Sequence, residues 1–302
     1  MFNSNYIITI TVLLVITISI YTGRIRQQTN KNPKRKKSKE LHHDEKSQHC
    51  FDPLSAPNLG LGRKGKNGHN VFDRIINVGF PKTGSKSLDR FLNQVDNGTS
   101  SHFKCHHSTA CISEECHLFC GKCIQRAIHE QKPPLMSCGN TTAFAQMDYV
   151  GLPGNNKHKK IRERSFQKNG YHTDCIFPQI QYLEELYEEN PTALFILPLR
   201  NVSNWIKSVS NWRDLRERLT NCSVTEYNFT FGMGKKDHEL KDLFCNHVKH
   251  VRNFVQKHSS LSFVEFNIED PNAGEILASV ISGLNASSWG HFHKQKGKNK
   301  KK

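Results

Sequence analysis

Residues 75–95 constrain this chain more than any other stretch. An apolar run, Ile75-Ile76-Asn77-Val78, leads into Gly79-Phe80-Pro81-Lys82-Thr83-Gly84-Ser85-Lys86-Ser87, and Leu88, Phe91, Leu92 and Val95 follow at helical spacing. That order predicts a strand, a loop and a helix, with the loop at the helix N-terminus. Unpaired first-turn N–H groups and the positive end of the helix dipole make such a loop attract phosphate or sulfate. Gly84 is expected to let the backbone approach the anion, Lys82 to supply charge, and Thr83, Ser85 and Ser87 to supply hydroxyl donors. The plain alternative is an ordinary strand-turn-helix with a solvated lysine.

A second constellation lies more than a hundred residues on. Residues 192–199, Thr-Ala-Leu-Phe-Ile-Leu-Pro-Leu, form an apolar run that ends at Arg200 and predicts a buried strand. A helix is expected to follow, with Val202, Trp205, Ile206 and Val209 on one face. An arginine at a strand's carboxyl end and a serine eight residues later, Ser208, can converge on one phosphate, the guanidinium giving forked hydrogen bonds and the hydroxyl a third. The plain alternative pairs Arg200 with an acidic neighbour. An amphipathic helix around Tyr182, Leu183, Leu186 and Tyr187 precedes the arginine strand. Short strands alternating with helices indicate a parallel sheet with crossover helices, whose ligands sit at the carboxyl ends of the strands. Asp148 follows another short apolar run, Ala143 to Met147, and reaches the same edge.

A Walker A loop has glycine, four residues, then Gly-Lys-Ser/Thr; here Ser85 intervenes between Gly84 and Lys86, so the match misses by one residue. The segment resembles more closely the Pro-Lys-Thr-Gly-Thr-Thr-Ser loop of sulfotransferases, and Arg200 with Ser208 matches that family's strand-Arg-helix-Ser unit. Lys86 departs from the family pattern, which usually has a hydroxyl residue there. The resemblance covers about residues 72–290 and is strongest to the membrane-anchored, Golgi-type branch, especially cysteine-rich algal members. It implies a P-loop-type three-layer α/β fold with a central parallel sheet and a cysteine-rich insertion at about 103–140. It also implies sulfuryl transfer from 3′-phosphoadenosine 5′-phosphosulfate to a hydroxyl, with no metal required. On that reading Lys82, Thr83, Gly84, Ser85, Lys86 and Ser87 cradle the 5′-phosphosulfate, and Arg200 and Ser208 grip the 3′-phosphate. Lys82 neutralises the leaving phosphate. Asp148 is the first choice for the general base, ahead of Asp174 and His172. A carbohydrate acceptor is the default; tyrosine, lipid or a small metabolite fit equally. Trp205 and Trp212 read as core or pocket wall rather than sugar platforms. Two other classes stay open: a P-loop nucleotide kinase or ATPase with a distorted Walker A, and a non-catalytic glycan-binding relative.

The formal charge of +16 misleads as a single number. Residues 24–68 hold 12 basic and 4 acidic residues and 291–302 hold 6 lysines, leaving 25 against 23 in 69–290. The expected organisation is a signal anchor at 1–23, a basic stem at 24–68, a sulfotransferase domain at 69–290 and a basic tail at 291–302. Nucleic-acid binding by the domain has little support from charge; the tails suit anionic lipid or polyanionic glycan. The uncharged run from Ile7 to Tyr21 is short against the 17–25 residues a span needs, and fits a thin early-secretory bilayer. The basic stem argues for a cytosolic C-terminus. Against it stand ten cysteines and six Asn-x-Ser/Thr triplets, at Asn97, Asn140, Asn201, Asn221, Asn228 and Asn285. A single-pass Golgi or other secretory-pathway membrane protein with a lumenal domain is the expectation; oligomeric state is not legible. Cys105, Cys111, Cys116, Cys120, Cys123 and Cys138 crowd one segment, where disulfides are favoured over a zinc site or a redox Cys120-Gly-Lys-Cys123 pair. Cys222 and Cys245 are expected to pair, with Cys50 and Cys175 unassigned.

Overall fold

Six successive residues of one strand, Leu194 to Leu199, are all buried, and that single fact sets the architecture. A strand apolar throughout must be covered on both faces, which happens in parallel sheets with helices on each side. The computed structural model describes Cys50 and residues 72–93, 119–139, 141–151 and 175–290, with the backbone of a few two-residue strands between 63 and 117. The expected anchor, most of the stem, the C-terminal tail, Asp174 and His172 lie outside the described residues. Among the described residues no helix is long and apolar enough to cross a membrane.

The elements that position the site are β1 (Ile75–Asn77), α1 (Ser85–Leu92), β2 (Cys105–His106), α2 (Cys120–His129), β3 (Ala143–Phe144), β4 (Tyr149–Val150), β5 (Cys175–Ile176), α3 (Pro178–Gln181), α4 (Leu183–Glu189), β6 (Leu194–Leu199), α5 (Val202–Asn211), α6 (Leu215–Thr220), α7 (Asp237–Lys257), β7 (Ser262–Asn267) and α8 (Ala273–Val280). Five strands form one sheet in the order β7-β6-β1-β3-β2, every pairing parallel. Register aligns Leu194 with both Ile75 and Ser262. Strand period two sorts the side chains: Ile75, Ala143, Leu194, Ile196, Val264 and Phe266 pack with α1 and α8 on one face. Ile76, Phe144, Phe195, Leu197, Leu199 and Phe263 meet α2 to α7 on the other. The result is the expected three-layer α/β fold.

β1 lies in the middle of the sheet. The chain builds β2 and β3 on one side of it, then returns to build β6 and β7 on the other. The reversal opens a crevice at the carboxyl ends of β1 and β6, where ligands of open parallel sheets bind. Pro198 would be out of place in most central strands because it lacks an N–H. Ile196 offers its carbonyl to Val78, so two residues on the missing donor of Pro198 faces the side where β1 has already ended. Its ring packs on Gly79 instead.

The disulfides correct one expectation. Cys222 bonds Cys175, and Cys245 bonds Cys50, in place of a Cys222–Cys245 pair. Cys175 opens β5, which pairs with β4, and the buried Cys222 just after α6 is brought there by α6 packing beside β4. Cys123 bonds Cys138, and Cys120 is also disulfide-bonded, so the Cys120-Gly-Lys-Cys123 motif is not a redox pair closed on itself. Cys120, Cys123 and Cys138 are buried in the main core, and the cysteine-rich segment supplies α2 and the edge strand β2.

Candidate active site

The loop after β1 is held by its carbonyls. Five in succession accept a side-chain hydrogen bond: Val78 from His247 Nε2 (2.7 Å), Gly79 from Gln179 Nε2 (3.3 Å), Phe80 from Thr83 Oγ1 (2.6 Å), Pro81 from Trp205 Nε1 (2.8 Å) and Lys82 from Arg200 Nη1 (3.2 Å). The donors come from α7, α3, the loop itself, α5 and the end of β6. Carbonyl oxygens repel an anion, so tying them back leaves the N–H face of the loop to the crevice. The loop runs into α1, whose N-cap Gly84 has φ 89° and no side-chain cap. First-turn amides without intrahelical acceptors therefore stay available to an anion. A Cβ at Gly79 would lie 2.7 Å from Pro198 Cγ and 2.8 Å from Thr83 Oγ1, so only glycine fits. Asn77 seats the turn by accepting from Gly79 N at 2.8 Å and donating to the Ala145 carbonyl.

Burial keeps His247 neutral. Burial drives it down to about 3, and with Nε2–H donating to Val78 O, Nδ1 accepts from the Tyr227 hydroxyl at 3.0 Å. Trp205 is wholly buried and serves as a clamp on Pro81. Replacing it by phenylalanine keeps the ring but orphans a buried carbonyl, at a cost of about 1–3 kcal/mol. Anion affinity of the Trp205→Phe protein is expected to fall about tenfold, as read by nucleotide titration. Unchanged affinity would mean that the loop holds its shape without this tether.

The loop brings the expected residues together unevenly. Lys82 has a left-handed backbone (φ 72°), no acidic partner among the described residues, and its Nζ 4.7 Å from the Trp212 ring centroid. Burial, reinforced by the nearby Arg200 charge, brings its ammonium down to about 8. Thr83 is buried with its hydroxyl committed to Phe80 O. Ser85 Oγ donates to Gln146 Oε1 (2.9 Å), and Gln146 Nε2 donates to Asp148 Oδ2 (3.0 Å), which links the loop to Asp148 through one amide. Ser87 is buried in the first turn of α1. Lys86 reaches forward along α1 to Asp89 at 2.5 Å. Asp148 is 5% exposed, and burial pushes its carboxyl up to about 6 against the Gln146 hydrogen bond and the Arg218 charge.

Arg200 stands beside the loop. Its Nε donates to Glu269 Oε1 (3.1 Å) and its Nη1 to Lys82 O, so the guanidinium bridges the two motifs. Glu269 also accepts from Asn201 N and Asn204 Nδ2, which fixes the start of α5 against the end of β7. Ser208 is half-buried one turn beyond Asn204 on α5.

The sulfotransferase domain family matches this chain over residues 74–274, from the residue before β1 to the start of α8. The chain is a member of the sulfotransferase domain family. The comparison with curated proteins gave no match. This sulfotransferase places both sequence motifs in the matched span and at one crevice, with Arg200 hydrogen-bonded to the Lys82 carbonyl. Sequence reasoning missed His247 and Gln179 as loop tethers and Gln146 as the link to Asp148. His247 carried one faint signal, a titratable residue on the apolar face of α7 between Phe244, Val248 and Val251.

Proposed function

We propose that this sulfotransferase takes 3′-phosphoadenosine 5′-phosphosulfate as donor and a carbohydrate hydroxyl as acceptor. The observation that carries the donor is the row of five tethered carbonyls ahead of an uncapped helix start, with Lys82 and Arg200 adjoining. The residues present fit two anionic groups on one nucleotide. The loop amides and Lys82 suit the 5′-phosphosulfate, and Arg200 with Ser208 suits the 3′-phosphate. In the reaction the acceptor oxygen bonds to sulfur while the sulfur–oxygen bond to the 5′-phosphate breaks. The phosphate leaves with the electron pair, and the acceptor proton passes to a base. Lys82 meets the charge that grows on the leaving oxygen, which a preorganised cation stabilises most in a site partly closed to water. Asp148 suits the base: a carboxyl raised to about 6 is ionised at neutral pH yet basic enough to take a proton.

The setting follows the same reading. The N-terminal 1–23 segment anchors the protein in a Golgi or other secretory-pathway membrane, the stem spaces it, and the domain works in the lumen. Support comes from the disulfides among the described residues, which persist in oxidising compartments. Calorimetry on the full chain tests the donor. The product nucleotide 3′-phosphoadenosine 5′-phosphate is expected to bind without magnesium, and more tightly than ATP with magnesium. Binding of magnesium-ATP with none of the bisphosphate would contradict the proposal and favour phosphoryl transfer.

A further inference from the structure

Trp212 is the C-cap of α5, the end opposite the Asn201 and Asn204 contacts with Glu269, and is 38% exposed, one of three large apolar side chains open to solvent among the described residues. Three cations surround its ring: Lys82 Nζ at 4.7 Å, Arg213 Cζ at 5.5 Å and Arg218 Cζ at 5.6 Å from the centroid. Two of them, Lys82 (φ 72°) and Arg213 (φ 51°), belong to the four non-glycine residues with left-handed backbone among those described. Such a conformation persists where the surrounding structure enforces it. Arg213 is exposed and pairs with no acid among the described residues. Arg218 is 7% exposed. Its Nε donates to Asp214, its Nη1 to the Val150 and Gly151 carbonyls, and its Nη2 is buried with no acceptor among the described residues. Among the described residues, Asp214 is engaged by Arg218 and Asp148 by Gln146. Arg218 packs on the strand after Asp148, whereas Arg200 faces Glu269.

We propose that Trp212, Arg213 and Arg218 form an acceptor subsite for an acidic group, so that the acceptor is an anionic glycan. The inference deepens the proposed function and rests on it. A carboxylate or sulfate on the glycan pairs with the exposed guanidinium of Arg213, a charge-assisted bond suited to a planar or tetrahedral oxyanion, and the buried Arg218 guanidinium, 5.6 Å from the Trp212 ring centroid, adds its charge to the subsite. The sugar's apolar face lies on the open part of Trp212. Lys82 Nζ touches the same ring, so a glycan seated there presents its next hydroxyl to the transferring loop.

The test measures binding to the full chain already saturated with 3′-phosphoadenosine 5′-phosphate. Three probes of equal length are compared: an oligosaccharide of uronic acid and N-acetylhexosamine, its carboxyl-reduced neutral form, and a sulfated derivative of that neutral form. The two acidic probes are expected to bind, and the neutral one about tenfold more weakly or not at all. The carboxylated and sulfated arms tell which acid the subsite prefers. Arg213→Ala, at an exposed position, is expected to cost about tenfold for acidic probes, leave the nucleotide affinity unchanged and flatten the salt dependence. Arg213→Lys keeps the charge but not the planar fork and is expected to weaken the same probes less than alanine does. Equal binding of neutral and acidic probes, no binding of any of them, preference for an acidic peptide over all three, or an Arg213→Ala protein identical to wild type would overturn the inference. Failure of the nucleotide itself to bind would instead overturn the donor assignment.

Discussion

Replacing Lys82 by alanine lowers sulfuryl transfer about a thousandfold, the loss expected when one preorganised group at the developing charge is removed. Lys82 is partly desolvated and unpaired by any acid among the described residues, so its charge costs the free protein something and is repaid by an arriving anion. Its ammonium sits at about 8 because of burial first and Arg200 second. Above that pH the free protein has lost the charge, and binding of 3′-phosphoadenosine 5′-phosphate must take up a proton. Wild-type affinity is therefore expected to fall as pH rises through about 8, with buffer-dependent heats of binding, while the Lys82→Ala protein shows neither effect. Because the side chain makes no hydrogen bond among the described residues, the variant is expected to fold and to melt near the wild-type temperature. A turnover rate within a few fold of wild type would remove Lys82 from the chemistry.

Asp148→Asn separates catalysis from stability. Loss of a general base costs about a hundred- to ten-thousandfold in rate, and the kcat/KM of the wild type is expected to drop below pH 6 while that of the variant stays flat. The stability effect runs the other way. In the fold the carboxyl titrates at about 6, above its ordinary 3.8, so the native state holds its proton more tightly than the unfolded chain. Ionising it in the fold therefore costs about 3 kcal/mol of stability above pH 6. That cost fades as pH falls from about 6 towards 4 and is gone below. Asparagine keeps the shape and still accepts from Gln146, so the variant is expected to melt higher than wild type at pH 8 and at the same temperature near pH 4. Thermal melts at the two pH values check this. A variant that loses stability at pH 8 would mean that the Asp148 charge is held by partners strong enough to outweigh its burial.

The parts of this site that are local in sequence were legible. Ile75 to Leu88 carries its strand, its glycines, its lysine and its helix start in one run, and residues 192–208 do the same for Arg200 and Ser208. Local chemistry fixes local geometry there. The tethers were not legible, because each joins residues far apart: His247 reaches Val78 across 169 positions and Trp205 reaches Pro81 across 124. Nothing in a histidine on an amphipathic helix says which carbonyl it will meet. The run Ala143 to Met147 reads as five residues of strand but forms only two, since Gln146 leaves the ladder to join Ser85 to Asp148. Cysteine pairing failed for the same reason. Cys222 and Cys245 are successive cysteines in the sequence, but α6 sets one beside β5 and α7 carries the other to Cys50.

The central claim is that one crevice holds both ends of one nucleotide, the loop with Lys82 at the 5′ side and Arg200 at the 3′-phosphate. Arg200 also supports the loop through Lys82 O, so a simple loss of affinity in Arg200→Ala would be ambiguous. Calorimetric titration of wild type and Arg200→Ala with 3′-phosphoadenosine 5′-phosphate and with adenosine 5′-phosphate isolates the contact, since loop damage weakens both ligands alike. Wild type is expected to prefer the bisphosphate by about ten- to a hundredfold, and the Arg200→Ala protein to show almost no preference. A preference undiminished in the variant would place the 3′-phosphate elsewhere and contradict the account.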